Sequence, residues 1–154
     1  MSRGLDIVRS FIDKYGVKAE IVEFTKTTKT SQLAADALKC TVAQIGKSIV
    51  FTNGSPVVVV ISGDESVDVE KLSKLIGVKV KKANATTVKE ETGYTIGGVP
   101  PFPLPKKVVT LIDSSVERFE EVWVAAGTPN AVMKIRVDDL KKITRANIVK
   151  VKQI

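Results

Sequence analysis

The chain has 154 residues, 44% of them hydrophobic, and a formal net charge of +7, which suits one domain with a proper core and is too apolar for disorder. It contains no histidine and a single cysteine, so zinc sites of the usual Cys/His type, Ser-His-Asp or Cys-His catalysis and an internal disulfide are all excluded. No apolar stretch reaches membrane-spanning length, and the start, Met1 to Asp6, lacks the apolar segment of a signal peptide.

In chain order, Leu5, Val8, Ile12 and Tyr15 recur at helical spacing, and Gly16 ends that helix. Val17 to Phe24 alternates as a strand, Thr25 to Thr30 is a hydroxyl-rich loop, and Ser31 can cap a helix through Leu38. Lys47 to Thr52 and Val57 to Ser62 read as strands joined by Asn53-Gly54-Ser55-Pro56, a hairpin signal. Asp68 caps a helix to Ile76 that Gly77 ends. Val78 to Val80 reads as a short strand, and a helix from about Thr86 to Thr92 leads into a glycine-proline loop. Val108 to Asp113 is apolar enough for a central strand. A short helix over Val116 to Glu120 is followed by strands Val122 to Ala126 and Ala131 to Arg136 around Gly127-Thr128-Pro129-Asn130. A helix over Asp138 to Thr144 and a strand over Ile148 to Val151 complete the pattern. No repeat or long linker interrupts it. Residues 1–154 therefore read as one α/β domain with flanking helices and a mixed, partly antiparallel sheet, rather than a doubly wound one.

The basic charge favours polyanionic partners through counterion release and steering, although a lysine-rich surface can serve solubility alone. Many Lys and Glu beside few Gln and Cys also match a thermophile composition. Aromatics are only 5% of residues, so a stacking platform for single-stranded RNA is absent and any RNA contact rests on phosphates. Cys40 reads as a small apolar filler and Trp123 as core. The lone cysteine agrees with a reducing, cytoplasmic setting.

Two segments could carry chemistry. Lys47 stands at the mouth of the apolar run Ile49-Val50-Phe51. It either snorkels to solvent or holds a carbonyl or phosphate oxygen as a point charge. In the loop Gly97 to Pro105, Pro100, Pro101, Pro103 and Pro105 lack an N–H, while Gly97, Gly98, Val99 and Phe102 keep theirs. Stiff backbone donors facing a developing oxyanion suit ester hydrolysis. A rigid structural turn is the competing reading, and a PxxP ligand for an SH3-like partner the weaker one.

Together, Gln44 to Phe51 and Thr92 to Phe102 resemble the YbaK-type aminoacyl-tRNA deacylase family, which includes the editing domain inserted into bacterial prolyl-tRNA synthetases. Gln44-Ile45-Gly46-Lys47-Ser48 reproduces the Gln-x-x-Lys-Ser/Thr context of the family's essential lysine, and Gly97 to Pro101 fits its Gly-x-x-x-Pro loop. Thr92-Gly93-Tyr94, Lys106-Lys107, Leu111-Ile112-Asp113 and Val124-Ala125-Ala126-Gly127 have family-like spacing, so the similarity runs from Val17 to Ile148.

The resemblance implies a YbaK-like fold and trans-editing hydrolysis of mischarged tRNA carrying a small amino acid, Ala or Cys on proline tRNA. It implies that Lys47 holds the substrate and that amides of Gly97 and Gly98 fix the ester carbonyl. Phe24, Thr30, Ser48, Val99, Pro100, Pro101, Ala126, Gly127 and Val132 are the expected substrate-binding residues, and Lys106 and Lys107 the expected tRNA contacts. Water is the nucleophile, helped by the substrate's ribose hydroxyl, with no metal and no cofactor. The partners are aminoacyl-tRNA and, where one is used, an aminoacyl-tRNA synthetase. One departure is Asn130-Ala131-Val132-Met133, where some family members carry a polar or acidic residue. It makes the pocket wall more apolar and leaves the amino acid open. A non-catalytic tRNA or aminoacyl-binding module partnering a synthetase is the alternative. A basic globular protein with no tRNA role is the third reading.

Overall fold

Every residue from Pro56 to Ser62 is buried, as expected of a strand covered on both faces. The rest of the sheet is built outward from it. The structure is a computed structural model that describes residues 3–154. In order, the elements are α1 (Arg3–Tyr15), β1 (Ala19–Glu23), α2 (Ser31–Leu38), β2 (Ile45–Thr52), β3 (Pro56–Ser62), α3 (Val69–Ile76), β4 (Lys81–Lys82), α4 (Ala85–Thr92), β5 (Val109–Asp113), β6 (Glu121–Ala125), β7 (Ala131–Arg136), α5 (Val137–Thr144) and β8 (Asn147–Val149). Short 3-10 turns occupy Val42–Gln44 and Ser114–Arg118.

The strands form one mixed sheet in the order β1-β7-β6-β2-β3-β5-β8, with β4 added to β2. The hairpins β2–β3 and β6–β7 are antiparallel, while β2–β6, β3–β5 and β5–β8 are parallel. The expected mixed α/β fold is borne out, and no described helix is long and apolar enough to cross a membrane.

The period-2 alternation of β2 and β3 divides the core between two faces. Val50, Val58 and Val60 join Ile112, Val124 and Met133 in the larger cluster, which Leu5 and Val8 of α1 help to close. Phe51, Val57, Val59 and Ile61 face Leu72 of α3. Burying side chains of this size contributes about 1.5–3 kcal/mol each. Asp113, fully buried, ties the end of β5 to both neighbours, its carboxylate accepting from the N–H groups of Ser115 and Val151 at 2.9 Å.

Several local expectations shift. Lys47 is the third residue of β2 rather than its first, because the strand begins at Ile45. The short strand after α3 is Lys81–Lys82, not Val78 to Val80; it is defined by pairing with Phe51 and Thr52, while Val80 packs into the core. Thr30, not Ser31, caps α2, its hydroxyl accepting from Leu33 N–H. Asn84 caps α4 in the same way, accepting from Thr87 N–H.

Candidate active site

One edge of β2 is shared by two strands and covered completely by neither. β6 pairs with Ile45 and Gly46; β4 pairs with Phe51 and Thr52. The Ile45 carbonyl accepts from Gly63 N–H towards β3, at 2.7 Å, and the Val50 carbonyl accepts from Ala83 N–H towards β4, at 2.9 Å. Backbone groups alternate sides along a strand. Ser48 therefore turns its N–H and C=O the same way as Val50, into the gap between β6 and β4. An unpaired strand edge of this kind is a ready hydrogen-bonding surface for a ligand.

A cavity of about 480 Å³ lies over this gap, and Lys47, Ser48, Ile49 and Val50 contribute to its wall. A smaller recess of about 60 Å³ opens beside it, sharing Thr30, Ser31, Lys47, Ser48, Gly97 and Val99, and reaching Ala34, Trp123, Val124 and Val132.

Three loops meet here because they are tied together. Phe24 N–H donates to the Asn130 carbonyl at 2.8 Å and Thr28 N–H to the Pro129 carbonyl at 2.6 Å. The Asn130 side-chain amide donates to the Phe24 carbonyl at 2.8 Å. The glycine loop fits between them. Gly97 has φ +85°, and a Cβ there would come within 2.6 Å of the Lys29 Cβ. A Cβ on Gly98 would lie 2.7 Å from the Thr128 backbone. Both glycines are required by close packing.

That packing corrects one expectation. Gly98 N–H donates to the Thr95 carbonyl at 2.9 Å, so it is not free to receive a substrate oxygen. Among the described residues the N–H groups of Gly97 and Val99 have no partner, and both residues line the cavity.

Electrostatically the cavity is positive. Lys29, Lys47 and Lys82 line it and no carboxylate does. The nearest acids are engaged elsewhere: Asp64 is held by Arg118 at 2.7 Å and Glu65 faces Lys152 at 3.7 Å. Burial, then the neighbouring Lys82 charge, pushes the Lys47 ammonium below the ordinary lysine range, against weaker opposing pulls from Asp64 and Glu65. Removing the Lys82 charge should therefore raise the Lys47 pKa. An NMR titration of the Lys47 side chain in Lys82→Ala should show that upward shift; a downward shift would contradict the placement of the two ammoniums.

The sequence-predicted residues divide. Lys47, Ser48, Thr30, Gly97 and Val99 come together at the cavity, and Val132 joins them at the recess. Phe24 packs behind the recess with Val132 and Trp123. Ala126 is fully buried in the core. Gly127 lines a separate depression with Arg3, Lys89 and Tyr94. Pro100 and Pro101 are buried, and Pro101 borders a groove with Phe11 and Lys106. Lys107 is paired with Glu91 at 2.8 Å. Sequence reasoning missed Ser31, Lys29 and Lys82 as cavity residues. Among the described residues no group of three His, Cys, Asp or Glu could hold a metal ion.

Comparison with known proteins places this geometry. A family model described as an aminoacyl-tRNA editing domain matches residues 25–143. The multifunctional Ser/Thr-tRNA deacylase ProXp-y of Escherichia coli is 28% identical over 86% of this chain and 76% of its own length. EbsC of Enterococcus faecalis, named as a proposed Cys-tRNA(Pro)/Cys-tRNA(Cys) deacylase, is 24% identical over 79% of this chain and 76% of its own. The crystal structure of a proposed trans-editing enzyme for prolyl-tRNA synthetase superposes with a TM-score of 0.91 at 30% identity, covering 100% of this chain and 99% of that one.

Proposed function

The chain belongs to the aminoacyl-tRNA editing domain family, and we propose that it hydrolyses the ester of mischarged tRNA carrying a small amino acid, acting in trans. The observation that carries this reading is the open edge of β2, where Lys47 and Ser48 face a cavity lined by three lysines and no carboxylate. Alanine and cysteine on proline tRNA are the first esters to test, and the name of the Enterococcus relative supports the second.

The aminoacyl ester lies across the gap between β6 and β4. The Lys47 ammonium stabilises negative charge near the carbonyl, and its partial desolvation strengthens that interaction relative to water. The N–H groups of Ser48, Gly97 and Val99 are the available backbone donors for the developing oxyanion. An aminoacyl ester is already activated, so water suffices as nucleophile, with the neighbouring ribose hydroxyl of the substrate taking part in proton transfer. Release of labelled amino acid from charged tRNA tests the reading. Hydrolysis above the spontaneous rate supports it. Tight binding with no release would favour a non-catalytic module working with a synthetase.

Lys29 and Lys82 sit on the cavity rim and are free of salt bridges among the described residues, so they are placed to meet the phosphates of the tRNA 3′ end. Double neutralisation, Lys29→Ala with Lys82→Ala, should weaken tRNA binding and reduce the salt slope of log K by about two contacts' worth. Lys106→Ala with Lys107→Ala should do less, because Lys107 is already paired with Glu91. A larger loss in the second pair, measured by titration across a salt series, would move the RNA path to the other side.

A further inference from the structure

Among the described residues, Asp64 and Glu65 are the carboxylates whose charge acts on Lys47. They lie on the turn that follows β3. Gly63 of that turn lines the cavity, and its N–H donates to the carbonyl of Ile45, two residues before Lys47 on β2. Asp64 therefore stands one residue from the cavity wall. A carboxylate left free there would be drawn to the Lys47 ammonium, since opposite charges attract strongly at a partly desolvated rim. Lys152 faces Glu65 at 3.7 Å, and Lys29 and Lys82, the other charged groups of the cavity wall, are cations.

Arg118 engages Asp64 completely. Its Nη2 donates to Asp64 Oδ1 at 2.7 Å and its Nη1 to Oδ2 at 3.2 Å. Both carboxylate oxygens are taken by one planar fork, a geometry that lysine cannot supply. The remaining donor, Nε, goes to the Ser115 carbonyl at 2.9 Å. Ser115 is buried and held in turn. Its N–H donates to the fully buried Asp113, and its hydroxyl accepts from Ser62 N–H at 3.2 Å. The guanidinium is thus anchored to the same end of β3 that carries Asp64. The pair itself is exposed, 44% for Arg118 and 32% for Asp64, and ion pairs so exposed contribute little to stability. What this one does is hold a negative charge in place. We infer that Arg118 is a positioning residue for the hydrolysis: by clamping both oxygens of Asp64 it keeps that carboxylate off Lys47 and leaves the ammonium free for the ester carbonyl. This deepens the deacylase reading above and rests on it for the role of Lys47.

The test is a double-mutant cycle over Arg118→Met and Asp64→Asn. It is read by single-turnover release of amino acid from charged tRNA and by NMR titration of the Lys47 side chain. Arg118→Met should slow hydrolysis by about tenfold or more, part of the hundredfold scale of a lost oxyanion contact. It should also raise the Lys47 pKa, because an unclamped carboxylate beside an ammonium favours the charged form. Asp64→Asn alone should hydrolyse near the parent rate. The double variant, with neither charge, should return to the parent rate and lose the upward shift. A bridge that is merely structural predicts otherwise: Asp64→Asn is as damaging as Arg118→Met, and the double variant recovers nothing. That result would overturn the inference. So would Arg118→Met working at the parent rate with Lys47 titrating as in the parent, or an Arg118→Met variant that unfolds and is not restored by Asp64→Asn. If the parent hydrolyses no ester, the deacylase reading fails by itself, and the Lys47 titration still decides the clamp. An upward shift in Arg118→Met that Asp64→Asn cancels would uphold it, and no shift would end it.

Discussion

Lys47→Ala should lower single-turnover deacylation by at least about two orders of magnitude, the usual scale for losing one preorganised electrostatic contact to an oxyanion. The fold should survive. The Lys47 side chain is only part-buried, and it makes no hydrogen bond or salt bridge among the described residues. Its charge is opposed by burial and by Lys82, so removing it relieves an unfavourable interaction rather than a favourable one. Thermal unfolding near the parent temperature beside a collapse in rate is the expected pair of results. A variant that hydrolyses at the parent rate would remove Lys47 from the chemistry. A variant that unfolds would make it a structural lysine whose buried stem matters more than its head.

Gly97→Ala should be the second severe change. The residue sits at φ +85°, where a Cβ costs about 1–2 kcal/mol. The added carbon would also meet the Lys29 Cβ at 2.6 Å and its Cα at 3.2 Å. The Lys29 backbone is held beside the capped start of α2, so the glycine loop must yield and carry the free N–H groups of Gly97 and Val99 with it. A displacement of that size at a reacting centre costs on the order of a hundredfold in rate. Gly98→Ala should act through the Thr128 backbone, 2.7 Å away, and not through loss of a donor to substrate. Binding of tRNA, set by lysines on the rim, should change much less than rate in both variants. Single-turnover rates with parallel binding titrations check this; parent-like rates in both would leave the loop as a turn with no part in catalysis.

What could be read from the residues was whatever local chemistry determines. Asn53-Gly54 at the β2–β3 hairpin, Asp68 and Gly77 at the ends of α3, and the apolar run of β3 each follow from a short stretch. So did the importance of the segment around Lys47, through its resemblance to a family. The rest depended on pairings between distant segments. The open edge of β2 exists because β6 and β4 each stop short, and neither stopping point is written in β2 itself. Thr30 and Ser31 are both good caps by type; only the helix start decides which hydroxyl is used and which is left without a partner. The Gly98 N–H was expected to face substrate because glycine permits close approach, but the loop closes on its own Thr95 carbonyl. Lys106 and Lys107 follow the glycine loop in sequence, yet the chain turns through buried Phe102 and carries them to the Phe11 groove and to Glu91.

The most direct test of the site is an amide-shift map of the protein with a non-hydrolysable amide analogue of a small aminoacyl-adenosine. Binding across the open edge of β2 should perturb the backbone amides of Ser48, Gly97 and Val99 and the side-chain resonance of Lys47, and leave Lys106 and Lys107 unchanged. Perturbations centred instead on Lys89, Tyr94 and Gly127, with Ser48 silent, would place the ligand in the depression beside α1 and contradict the site.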